Sequence, residues 1–126
     1  MQNLNSKPVS DLKIRSFNFG LEIIKICDKL PQKRSAWIIT DQLIRSATSI
    51  GANIIEARAS SSRLEFKKFF EISLKSANET IYWLCLLRDS NLASSLEVNK
   101  LIEECQELGK IIGKSVLTLK SKVINF

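Results

Sequence analysis

The chain contains no histidine, so the side chain that most often serves as general base and metal ligand at neutral pH is missing. The densest carboxylates are Glu103, Glu104 and Glu107. On one helix such offsets read as a solvated charged face rather than a metal cage. Cys27, Cys85 and Cys105 are odd in number, widely spaced and each set in an apolar stretch. That pattern fits buried free thiols in a reducing cytoplasm, not a disulfide framework or a zinc site. No Cys-x-x-Cys pair, no glycine-rich phosphate loop and no carboxylate–histidine spacing of the di-iron type occurs. The residues therefore assign no catalytic group, no metal and no cofactor, and the expectation is a protein that is not an enzyme.

Two other sets of side chains could recognise something. Gln42, Arg45, Ser49, Asn53 and Glu56 recur at offsets 3, 4, 4 and 3, which puts them on one side of a helix. They read either as an ordinary wet face or as a polar seam between helices or subunits. If the chain folds back about Ser60–Ser61, facing residues have numbers that sum to about 120. Arg45 then lies near Ser76 and Glu79, and Glu56 near Arg63 or Lys67. Arg45–Glu79 is the natural charge-assisted pair, with Arg45 expected to be at least half buried. The second set is basic: Arg58, Arg63, Lys67 and Lys68 fall within eleven residues. They flank a helix start, whose free N–H groups also favour anions. The alternative for this set is a solubilising surface paired with Glu56, Glu65 and Glu71.

The elements that must position these residues are all helical. The chain has 126 residues, 44% of them hydrophobic and 25% charged, with 4 Gly and 2 Pro. That composition suits one domain built from long helices. A first helix over about 11–30 is expected, capped by Ser10 or Asp11, with Ile14, Phe17, Leu21 and Ile24 at helical spacing and Pro31 as its stop. Gly20 within it permits close approach of a neighbour. A second helix over 35–59 carries Ile39, Leu43, Ala47, Ile50, Ile54 and Ala57. A third, over 62–89, opens on the capping box Ser62-Arg63-Leu64-Glu65. Its inner positions are Phe66, Phe70, Ser73 or Leu74, Ala77, Ile81 and Leu84. Apolar on all sides from Tyr82 to Leu87, its far end must be buried or covered by another subunit. A fourth, over 95–122, repeats the capping box at Ser94–Glu97. It keeps a 3,4 rhythm through Val98, Leu101, Cys105, Leu108, Ile112, Ser115 and Leu119. Gly109 and Gly113 in it predict tight helix packing. Short connectors between long helices imply an all-α, antiparallel up-down-up-down four-helix bundle. Residues 1–10 are polar, with no signal-peptide core, and no apolar run approaches the roughly 20 residues of a membrane span. The expected location is cytoplasmic.

The run Gln42-Leu43-Ile44-Arg45-Ser46-Ala47-Thr48-Ser49-Ile50-Gly51-Ala52-Asn53-Ile54-Ile55-Glu56 resembles the pattern Q-x-x-R-x-A-x-S-I-x-x-N-I-x-E. That pattern belongs to the bacterial four helix bundle protein family, also called the 23S rRNA intervening-sequence protein family. Asp11-Leu12-Lys13-Ile14, Leu30-Pro31, and Glu65-Phe66 with Ser76 and Glu79 extend the resemblance over nearly the whole chain. Arg15, Ala57 and Lys75 depart from it, standing where the family often has Trp, Gly and Gly. The resemblance implies a homo-pentamer and contact with RNA or DNA, and it implies no catalytic residues.

Two functional expectations follow. One is a homo-oligomer that binds RNA or DNA weakly through its basic surface. The formal charge of +6 per chain becomes about +30 in a pentamer, enough to attract a phosphate backbone. The other is an oligomeric scaffold that recruits a protein partner, such as a reverse transcriptase or a ribosome factor, with no nucleic-acid contact of its own.

Overall fold

The computed structural model describes residues 8–124. Four helices follow one another: α1 (Pro8–Asp28), α2 (Arg34–Arg58), α3 (Arg63–Asp89) and α4 (Ser95–Ile124). Each packs on its neighbours in sequence and α1 closes the ring against α4, so the chain is an antiparallel four-helix bundle. The α2–α3 and α3–α4 contacts are the most extensive, and α1 is the helix least embedded in the bundle.

Three short connectors set the register. α1 runs through both Ser10 and Asp11, so neither caps it; Pro8, with no N–H to satisfy, opens the helix instead. Ser62 caps α3 as expected, its Oγ accepting from the Glu65 N–H at 3.1 Å. The return bond of the box goes one residue earlier, from the Ser61 N–H to Glu65 Oε1. At the end of α3, Asn91 adopts φ 60°, a conformation Asn tolerates better than most residues. The Asn91 and Leu92 N–H groups then reach back to the carbonyls of Arg88 and Leu87, closing the helix end in a Schellman motif.

The core takes one stripe from each helix, and on α1 it is not the stripe singled out from spacing. Ile14, Phe17, Leu21 and Ile24 face outward, with Phe17 67% exposed. Leu12, Phe19, Ile23 and Ile26 are buried, together with Ser16. Both stripes keep the 3,4 rhythm. The inner one is interrupted by a serine, which hides it from a reading by hydrophobicity. On α2, Leu43, Ala47, Ile50, Ile54 and Ala57 are buried, with Ile39 packed at the edge. α3 contributes Phe70, Ala77, Leu84 and Leu87, and Phe66 stacks on Phe70 at 4.8 Å between ring centroids. α4 contributes Val98, Ile102, Cys105, Leu108, Ile112 and Val116; Val116, not Ser115, carries the seam at its far end. The apolar end of α3 is divided, since Leu84 and Leu87 are buried while Tyr82 and Leu86 remain exposed.

The glycines behave differently from expectation. A Cβ on Gly20 would meet only Thr48 Cγ2, at an ordinary 4.0 Å, and one on Gly109 would meet nothing within 4 Å. One on Gly113 would make ordinary 4.0 Å contacts with Leu74. Neither Gly20 nor the Gly109–Gly113 pair is therefore required for close packing. The tight approach is at Gly51, where a Cβ would stand 3.2 Å from Ser16 Oγ.

Candidate nucleic-acid interface and the α2–α3 polar ladder

Small side chains let α2 and α3 lie close, and their hydroxyls then face one another across the contact. Ser73 Oγ donates to the Ile50 carbonyl at 2.9 Å. Ser76 and Ser49 share a hydroxyl–hydroxyl bond of 2.9 Å, and so do Thr80 and Ser46. Asn53 Nδ2 donates to Ser49 Oγ at 2.9 Å and to the Ser49 carbonyl at 2.8 Å. Every buried side-chain polar atom among the described residues has a partner, as a contact this dry requires. Ser49, Asn53 and Ser76 belong to the expected seam and Ser73 to the expected inner stripe of α3, whereas Ser46 and Thr80 are not singled out. Their spacing along the buried stripes, opposite one another at antiparallel register, was the available signal. The register itself is shifted: the bonded pairs 45/79, 46/80, 49/76 and 50/73 place the fold-back nearer Ser62 than Ser60.

At the rim, the Arg45 guanidinium pairs with the Glu79 carboxylate. The same guanidinium donates to Gln42 Oε1 at 2.8 Å, and Trp83 Nε1–H donates to Glu79 at 2.9 Å. The Trp83 hydrogen bond and the Arg45 cation hold the Glu79 carboxyl below its ordinary value. Arg45 is not half buried as expected: its side chain is 56% exposed, against 37% for Glu79. The hydroxyls occupy the dry centre of the contact, and the long charged side chain lies over its edge with its head in water.

The predicted basic cluster is brought to one end of the bundle. Arg58 closes α2 and Arg63 opens α3, and both line a shallow pocket with Ser60, Ser61 and Ser62. Lys67 and Lys68 border a second depression that shares Ser62. Arg58, Arg63 and Lys68 are exposed, and none of the three forms an ion pair among the described residues. Lys67 differs: its side chain is only 18% exposed and lies 3.9 Å from Glu71. Glu56 is exposed and pairs with neither Arg63 nor Lys67.

The remaining candidates for chemistry are occupied otherwise. Glu104 takes a two-pronged hydrogen bond from Arg15, at 2.7 and 3.1 Å, tying α1 to α4. Lys29, in the turn just after α1, pairs with Glu97 on α4 at 2.7 Å. Among the described residues no cluster of three or more His, Cys, Asp or Glu side chains could hold a metal ion. Burial pushes the Cys27 thiol up to about 11 and the Cys105 thiol up to about 12, so both are protonated at neutral pH and poor nucleophiles. No described helix is long and apolar enough to cross a membrane.

The chain matches none of the curated proteins. Its structure is similar to a crystal structure from Bacteroides thetaiotaomicron, a protein of unknown function from the S23 ribosomal protein family. The two are 31% identical, with a TM-score of 0.82, over 87% of this chain and 98% of that one. Residues 10–114 match the profile of the 23S rRNA-intervening sequence proteins. With that match covering the polar ladder, the basic turn and most of all four helices, this chain belongs to the 23S rRNA-intervening sequence protein family.

Proposed function

We propose that this protein is a non-catalytic, cytoplasmic homo-oligomer, a pentamer by family resemblance, that binds RNA or DNA backbones weakly at the α2–α3 turn. The observation that carries this reading is the presence of three exposed cations, Arg58, Arg63 and Lys68, with no carboxylate partner among the described residues. An unpaired guanidinium keeps its full donor set for phosphate oxygens. Cations spread over an exposed turn offer contacts to phosphate oxygens along a backbone, and such contacts are tolerant of sequence. Lys67, folded against Glu71, drops out of the contact set. Each chain contributes few phosphate contacts, and self-association supplies the affinity by repeating them.

The test is the affinity for a long RNA across a salt series, for the parent and for Arg63→Glu/Lys68→Glu. Phosphate contacts give a negative log–log slope that loses roughly one unit for each contact removed. A flat salt dependence, or equal affinity in the variant, contradicts the proposal. The second reading is a protein-recruiting scaffold, favoured by the exposed Trp37, Ile38, Tyr82 and Leu86, and a flat salt dependence would transfer support to it.

A further inference from the structure

The recess at the α2–α3 turn, about 340 Å³ in volume, has two kinds of wall. Its rim is cationic, with Arg58 before the three connector serines and Arg63 after them, and no described carboxylate lines it. Glu65, close by in sequence, instead takes the Ser61 N–H at 3.3 Å and borders the neighbouring depression. Two of the serine hydroxyls are committed, Ser60 Oγ to the Ala57 carbonyl and Ser62 Oγ to the Glu65 N–H. The Ser61 hydroxyl and the two guanidiniums stay available to a ligand. The back wall is apolar and comes from three helices: Ala57 at the end of α2, Phe66 near the start of α3 and Leu119 towards the end of α4. Ala57 is fully buried, whereas Phe66 and Leu119 are partly exposed. The Phe66 ring is fixed by its stack on Phe70, so a rigid, partly exposed aromatic shares the recess with two unpaired guanidiniums.

Cations alone would suit any polyanion. An apolar, partly aromatic wall beside them suits an anion that also carries a flat apolar body, and a nucleotide has both. In a duplex the bases are stacked inward, and phosphates are what reach such a surface. In an unpaired strand a base can turn outward against an aromatic side chain while its phosphate meets the guanidiniums. The recess lies at the lower end of the roughly 300–1,000 Å³ of small-ligand sites, a scale suited to one nucleotide unit. We propose that this recess holds one unstacked base of a single strand against Phe66 and Leu119, with the adjoining phosphate on Arg58 and Arg63. This rests on the nucleic-acid reading above and narrows its ligand to single strands, RNA and DNA alike. Tolerance of sequence is kept, because every base has a π-face.

The experiment compares affinities, at one low salt concentration, for oligothymidylate and for a chain of the same length with abasic sugars throughout. Both probes carry the same phosphates, so a purely electrostatic contact binds them alike. The expected result is that the parent binds oligothymidylate roughly tenfold more tightly or better, the scale of one stacked base. Phe66→Leu, checked for parental helicity by circular dichroism, keeps an apolar side chain but removes the ring. It should narrow that gap while leaving the affinity for the abasic chain unchanged. Equal affinities of the parent for the two probes overturn the base site and leave the phosphate contacts standing. A gap that Phe66→Leu does not narrow overturns the assignment to this recess. Competition by free thymidine monophosphate, at nucleotide concentrations equal to the strand's, assigns the recess to a mononucleotide and overturns the strand. Failure of both probes to bind removes the site and the nucleic-acid reading together.

Discussion

The hydroxyls of Thr80 and Ser46 meet at 2.9 Å in the fully buried centre of the α2–α3 contact. Each is also within reach of a carbonyl on its own helix, Ser76 for Thr80 at 2.7 Å and Leu43 for Ser46 at 3.3 Å. Two polar groups are thereby carried into a dry interface without an unmet bond. Thr80→Val keeps the shape but removes one partner, so it should cost about 1–3 kcal/mol. Ser46→Ala should cost less, because the backbone acceptor Thr80 keeps is at 2.7 Å, while the one left to Ser46 in Thr80→Val is at 3.3 Å. The double variant should lose less than the sum of the single losses, since the hydroxyl–hydroxyl bond is lost only once. Denaturant melts of the four proteins give the coupling directly, and strict additivity would contradict a shared bond.

Glu79 answers to two partners, Arg45 on α2 and Trp83 one turn along α3. Arg45→Ala should cost under about 1 kcal/mol, because the pair is solvent-exposed at the rim. Glu79→Ala should cost more, because it also strands the part-buried indole N–H. The Glu79 carboxyl titrates below its ordinary value of 4.5. Its stabilising contribution is therefore complete above that value and is lost as pH falls through its lower folded-state value. Melting midpoints of parent and Glu79→Gln should thus converge on acidification. A gap that stays constant down to strongly acid pH would contradict the assignment.

Gly51 and Gly109 sit in comparable helices but in opposite surroundings. Gly51→Val drives a branched side chain into Ser16 and should destabilise by about 1–3 kcal/mol. Gly109→Ala meets open space and should stabilise by up to about 1 kcal/mol from helix propensity alone. Thermal melts of both should move in opposite directions. A destabilising Gly109→Ala would show that α4 packs there against something outside the single chain.

Much of the fold was legible because its signals are local. Serine caps, the Pro31 stop and the 3,4 rhythm on α2 and α4 depend on residues a few positions apart. Arg45–Glu79 was legible too, since antiparallel hairpin geometry follows from a short connector. The failures share one cause. α1 is apolar on two sides, and periodicity cannot say which stripe meets the core; the serine at position 16 made the inner one look weaker. Arg45 was placed too deep, because a face composed of polar residues does not reveal which members are short enough to be enclosed. Likewise Gly109 and Gly113 match a packing motif in spacing, while whether a neighbour stands opposite is a tertiary fact. At the basic turn the types were readable and pairing with Glu71 stood as the alternative, but which of the four cations takes it, Lys67, is a matter of rotamer and burial that spacing does not give.

Self-association and nucleic-acid binding are linked in this reading, since weak cationic sites gain affinity by being repeated. The most direct measurement is the affinity for one long RNA, at a single low salt concentration, of the parent and of a surface variant that light scattering shows to be a single chain. That variant leaves Arg58, Arg63 and Lys68 unaltered, so its sites are chemically intact. Loss of multivalency should weaken its binding by roughly a hundredfold or more, within the range by which linked sites exceed single ones. Affinity equal to the parent's in a variant shown to be a single chain would contradict the link, and with it the role proposed for the oligomer.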